Sequence, residues 1–175
     1  DIGKSAGTSA VTSNIEKLLV LTLINHPEIM IRHEEEIGLL EFTVPGLEKL
    51  RNALLEKAEI GDALDREAVY AHLEAAGHMD AVRKMMDDKA LRGDWFAWPE
   101  AALSDALTGF EHLMSRYEFI AAKRAYEQAE AEYAAEMTDT NHARFVAAQA
   151  AFRALEEKEA DKDGYRLESG RFSFN

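Results

Sequence analysis

The stretch that most restricts the fold begins at Pro99. From there apolar residues recur at Leu103, Leu107, Phe110, Met114 and Tyr117, in steps of 4, 3, 4 and 3, and continue into Phe119, Tyr126, Tyr133 and Met137. Nothing in the stretch breaks this spacing, which predicts one helix of roughly 35 to 40 residues, about 55 Å long. Such a helix is longer than a small bundle is wide, so its second half is expected to project. After Thr138-Asp139-Thr140-Asn141, a last apolar series (Phe145, Ala148, Phe152, Leu155) returns in steps of 3, 4 and 3, as suits a helix lying antiparallel against the projecting half.

Upstream, the same period marks shorter helices. In NIEKLLVLTLIN, which Ser13 is placed to cap, Ile15, Leu18, Leu19, Thr22 and Leu23 form one stripe. Val20, Leu21 and Ile24 widen it until little polar circumference is left, so this helix belongs inside a bundle. His26-Pro27 ends it, because the residue before proline is pushed out of the α region, and Pro27 suits the first turn of the next helix. That helix carries Ile29, Met30, His33, Ile37 and Leu40 on one face, with Glu34, Glu35 and Glu36 outward. A third begins near Pro45, with Leu47, Leu50, Leu54 and Leu55 inward. Asp65 is the expected cap of a fourth, with Val69, Ala71 and Leu73 on its stripe and Gly77 past its end. A fifth turns Met79, Val82 and Met86 inward. No stretch alternates long enough for a strand, and no repeat of 20 to 50 residues occurs. The expected fold is all-α: residues 1–13 a flexible linker, 14–115 a bundle of about six helices, 116–162 a long helix's outer half and its partner in a projecting antiparallel hairpin, and 163–175 a tail.

Composition narrows the chemistry. The sequence has 175 residues, no cysteine, and 33 acidic against 20 basic residues, a net charge of −13. Without cysteine there is no disulfide, thiolate zinc site, iron–sulfur cluster or thiol nucleophile. The charge has the wrong sign for a surface whose main task is to grip phosphates, so direct nucleic-acid binding is not expected. No apolar run is long enough to span a membrane and no signal segment opens the chain, which predicts a soluble, cytoplasmic protein. The Asp1 start, without an initiator methionine, suggests a piece of a longer chain.

Searches for a catalytic centre return little. There is no phosphate-cradling glycine loop, and none of the six histidines has a glutamate three residues before it, as four-helix carboxylate metal proteins require. His26 with His33, and Glu74 with His78, could share a helix face, but two ligands without convergent others make a poor metal site. His112 and Ser115 lack the turn that arms a nucleophile. Glu34-Glu35-Glu36 diverge around a helix and read as a solvated face. Arg83, Lys84, Lys89 and Arg92 form the densest basic patch, yet residues 66–110 hold five basic against eight acidic residues. The cluster Trp95-Phe96-Trp98 reads first as closure of the core and second as an interaction site. A helical hairpin buries only part of its apolar stripe internally, so a surface for another protein is the economical explanation.

The order of these features resembles the C-terminal, helicase-binding domain of bacterial DNA primase. The resemblance rests on LLVLTLINHPEI (Leu18 to Ile29), on VPGLEKLRNALL (Val44 to Leu55), on AVRKM with its lysine before an apolar residue, and on the long helix and terminal hairpin that follow. It covers about Asn14 to Leu155; each motif is short, and the weight lies in their order. It implies a bundle similar to the N-terminal domain of the replicative helicase, and a hairpin that docks on the hexameric helicase. Tyr126, Tyr133, Phe145 and Phe152 are then the candidate helicase-binding anchors. Some members of the family also bind the acidic tail of single-strand DNA-binding protein. Lys84 matches the pocket lysine and Val20 an apolar pocket position, while Thr12 replaces a further lysine for which Lys17 is a substitute. The resemblance implies that this fragment carries no catalytic residue, metal or cofactor, and that the zinc- and magnesium-dependent primer synthesis of the parent enzyme lies upstream. Other readings are the N-terminal domain of the replicative helicase, a stand-alone helical adaptor and, from another class, a helical metal- or ligand-binding enzyme.

Overall fold

The computed structural model of the chain describes residues 2–171, with side chains for residues 10–162. Seven α-helices account for nearly all of it: α1 (Ile2–Asn25), α2 (Met30–Gly38), α3 (Leu47–Glu59), α4 (Arg66–Ala75), α5 (Met79–Asp87), α6 (Leu103–Ala135) and α7 (Asp139–Arg171). Three 3₁₀ turns, Pro27–Ile29, Lys89–Leu91 and Trp95–Ala97, join them, and no strand occurs among the described residues. The chain divides into two compact units, Asp1–Tyr117 and Glu118–Asn175.

In the first unit α1 is the centre. Leu19, Val20, Leu21, Leu23 and Ile24 are all without solvent exposure, so every side of its second half is covered. It packs against α3, α4, α5 and all three 3₁₀ turns. The helix starts earlier than Ser13: the backbone is already helical at Ile2, where a linker was expected. Residues 1–13 contain no proline, and extending a helix from a buried, already formed turn adds one hydrogen bond per residue fixed. At the other end of the sequence α7 is helical to Arg171, well into the expected tail; residues 172–175 lie outside the described region.

The short helices end where their residues dictate. The Asp65 carboxylate accepts the Ala68 N–H at 2.8 Å, capping α4 as predicted. Gly77 closes that helix at φ +78°, with its N–H on Glu74 O (3.0 Å) and the His78 N–H on Leu73 O (2.8 Å), a Schellman pair. Ala71 faces solvent rather than the core, and in α5 it is Met85, not Met86, that is fully inward.

Residues 40–46, between α2 and α3, have no regular structure and are held by polar side chains instead. The buried Glu16 carboxylate accepts the Thr43 N–H (2.9 and 3.0 Å), the Thr43 hydroxyl (2.9 Å) and the Val44 N–H (2.9 Å). From α3, Arg51 donates to the carbonyls of Gly38 and Leu40 and lies 5.6 Å over the Phe42 ring. Tyr117 of α6 both accepts the Glu41 N–H (2.9 Å) and donates to the Glu41 carbonyl (2.6 Å). Earlier on α6, a Cβ on Gly109 would collide with the Phe96 ring, so only glycine permits that approach.

Glu16→Gln, which turns an NH₂ toward N–H donors, should lower stability by about 1–3 kcal/mol in urea unfolding, and Glu16→Ala by more. Gly109→Ala should cost about 1–3 kcal/mol by overpacking against Phe96. A neutral result for Glu16→Gln would show that the loop does not depend on the carboxylate.

Candidate functional site

The aromatic residues of the second unit pair with one another. Ring centroids lie 5.3 Å apart for Phe119–Phe152, 5.7 Å for Tyr126–Phe152, 5.8 Å for Tyr126–Phe145 and 5.9 Å for Tyr133–Phe145, with Tyr133 also 5.2 Å from the His142 ring. As the partner on α6 rises in number the partner on α7 falls, so the ladder joins two antiparallel segments. Three of the contacts are stacked within 26°, the offset arrangement that aromatic quadrupoles favour. The four nominated anchors Tyr126, Tyr133, Phe145 and Phe152 are therefore seam residues. Their spacing could not reveal this, because a seam and a docking stripe share the same period. What the seam leaves outward is Met137, 78% exposed at the turn, and Val146, 47% exposed on α7. The turn itself is fixed: Asn141 donates to Glu136 O at 2.9 Å while its own N–H is accepted by the Thr138 hydroxyl at 3.1 Å.

The tail-binding candidates of the first unit separate. Val20 is in the core and cannot line an open pocket. Lys17 is 3.4 Å from Asp88, its charge already partnered. Lys84 alone stands exposed on α5. The structure does not assemble the three into one site.

A polar junction that the spacing did not disclose lies where α1 ends. Asn25 and His26 are both buried. The Asn25 amide donates to Ala97 O at 2.8 Å, its oxygen accepts the Tyr70 hydroxyl at 2.9 Å, and His26 Nε2 donates to Trp98 O at 2.9 Å. Arg66 donates to Pro99 O at 3.0 Å. Beside these bonds opens a cleft of about 680 Å³, lined by Asn25, His26, Tyr70 and Arg66 together with Glu28 and Asp65. Of its polar groups, Asn25, His26, Tyr70, Arg66 and Asp65 are bonded to backbone or to each other. The junction holds the segment between α5 and α6. In that segment Trp95 is not part of the core closure: it is 60% exposed, while Ala97 takes the buried place. Two further apolar residues, Ile31 and Leu39, are exposed on and just after α2.

No group of three side chains able to hold a metal ion is found among the described residues. No described helix is long and apolar enough to cross a membrane. No protein-family model, curated protein or solved structure matches the chain.

Two outcomes follow. Tyr126→Ala removes the ring shared by Phe145 and Phe152 and should destabilise the second unit by about 1–3 kcal/mol, read as lost helicity in denaturant; an unchanged profile would mean that the ladder contributes nothing. Burial raises the Tyr70 pKa above 10.0, Arg66 opposing this and Glu100 adding to it. A raised folded-state pKa contributes stability that is complete below pH 10.0 and lost as pH climbs through the folded value. Tyr70→Phe should thus cost about 1 kcal/mol at neutral pH, through the unpaired Asn25 oxygen, and flatten the alkaline limb of the stability profile.

Proposed function

We propose that this chain is the helicase-binding domain of a bacterial DNA primase, which holds an upstream primer-synthesising domain at the hexameric replicative helicase. The observation that carries the reading is sequential. The elements NHPEI, VPGLEKLRNALL and AVRKM follow one another in the first unit, and the second unit after Tyr117 is built from an antiparallel helix pair. In this reading the first unit is a bundle similar to the helicase's own N-terminal domain, and the second is a projecting hairpin that docks. Tethering raises the effective concentration of the synthesising domain at the unwound template, without any chemistry in the tether. The domain would act in the cytoplasm, at the replication fork, with zinc and magnesium confined to upstream domains.

The geometry changes where contact is expected. Seam rings hold the hairpin's shape, and the exposed Met137 and Val146 are its large apolar side chains left for a partner. The acidic tail of single-strand DNA-binding protein stays a second proposed partner, with Lys84 as the residue available to it.

The test is a calorimetric titration of the whole chain into its cognate hexameric helicase. Met137→Asp and Val146→Asp should each weaken binding by about tenfold while leaving helicity intact. Tyr126→Ala should lower helicity and affinity together. Failure of the unsubstituted chain to bind at both low and moderate salt would overturn the reading and favour a stand-alone adaptor.

A further inference from the structure

The segment between α5 and α6 contains two 3₁₀ turns in succession, Lys89–Leu91 and Trp95–Ala97, whose buried places are taken by Leu91 and Ala97. In a 3₁₀ turn side chains three apart eclipse, so Trp98 stands beside Trp95. The two indoles line an open groove of about 400 Å³ together with Arg92, Glu100 and Ala101. That is the size class of small-molecule sites.

The fold leaves the groove's chemistry unused. No ring packs against Trp95 or Trp98, and no cation lies over either, among the described residues. Arg92 and Glu100 are both exposed and share the groove, yet they form no ion pair with each other or with any other described residue. One positive charge, one negative charge and two free aromatic faces therefore stand together. Their backbone is fixed: buried Asn25 and His26 hold the carbonyls of Ala97 and Trp98, and Arg66 holds that of Pro99. A mount of this kind lowers the ordering cost at the moment of binding.

From this arrangement we infer that the groove binds a small zwitterion whose cation is a quaternary ammonium, a chemistry shared by free solutes such as glycine betaine and by the headgroup of phosphatidylcholine. The ammonium methyls lie on the indole faces with Glu100 balancing their charge, and the anionic group meets Arg92. The alternatives each leave one lining group opposed. An anion alone sets its charge against Glu100 and against a chain of net charge −13. A cation alone is repelled by Arg92, and a neutral apolar body strips water from both charges without replacing their hydrogen bonds. A zwitterion answers both charges and has no net charge for the field of the chain to repel. The methyl groups matter because a primary ammonium carries three donors, for which the lining side chains supply one carboxylate. A quaternary ammonium has none and is attracted to an aromatic face. The site lies within the first unit and does not rest on helicase docking by the second.

Trp95 and Trp98 are the two tryptophans of the sequence, so tryptophan emission reports on this groove. Glycine betaine titrated into the full chain should give a saturable emission change. Glycine, with the same two charges and no methyl groups, and choline, with no anionic group, should each bind about fivefold more weakly or worse. Arg92→Gln should weaken betaine by a similar factor and spare choline, whereas Glu100→Gln should weaken both; Trp95→Ala, read by calorimetry, should weaken betaine. All three positions are exposed, and circular dichroism checks that the variants stay folded. Sedimentation with phosphatidylcholine vesicles separates the sources: binding lost in Trp95→Ala assigns the lipid headgroup, and a chain that stays in the supernatant while responding to betaine assigns the free solute. No response to betaine up to about 10 mM together with no vesicle binding would overturn the proposal. So would equal affinity for glycine, or a betaine affinity unchanged in Arg92→Gln.

Discussion

A carboxylate with no exposure to water organises the first unit. Glu16 sits on α1, against which α3, α4, α5 and the three 3₁₀ turns pack, and its oxygens are satisfied by the Thr43 and Val44 N–H groups and the Thr43 hydroxyl. Those donors belong to a segment without regular structure, whose N–H groups have no helix or strand partner. Arg51 supplies the complementary half, donating to carbonyls just before the segment and at its start. Acceptor from α1 and donor from α3 thus specify where α2 stops and α3 starts. Buried polar groups of this kind add little net stability, because desolvation offsets the bonds. Their effect is to make alternative packings expensive, since each would strand a polar group.

The C-terminal end of α1 repeats the device with different chemistry. Asn25 and His26 bind the Met86 sulfur near the end of α5 and the carbonyls of Ala97 and Trp98 in the segment after it. Tyr70 joins from α4 through the Asn25 oxygen. An apolar helix thereby controls two irregular loops, one through Glu16 in its middle and one through the polar residues at its C-terminal end.

Much of this architecture could be read from the amino acids. Period alone located the helices, because each apolar stripe continues for several turns, and Asp65 and Gly77 marked the ends of α4 through local backbone chemistry. The start of α1 escaped because Ser, Thr, Gly and Ala have weak individual preferences, and a packed helix beyond them decides the outcome. The roles of Tyr126, Tyr133, Phe145 and Phe152 escaped for a different reason. Two helices that seal against each other and two that seal against a partner need the same spacing, and only the opposing helix distinguishes them. Trp95 was assigned to the core by its hydrophobicity, whereas the 3₁₀ turn gives the inward place to the smaller Ala97. The Glu16 and Asn25 contacts span 27 and 72 positions, so no local pattern announces them.

The two candidate surfaces obey different physics, and that difference keeps them separable. Met137 and Val146 offer apolar area, whose contribution to binding scales with the surface removed from water and changes little with ionic strength. The groove at Arg92 and Trp95 sets one cation and the Glu100 carboxylate beside ring surface, and salt screens charges exposed in this way. The net charge of −13 adds a background that repels acidic ligands at long range and leaves short-range contact to decide affinity.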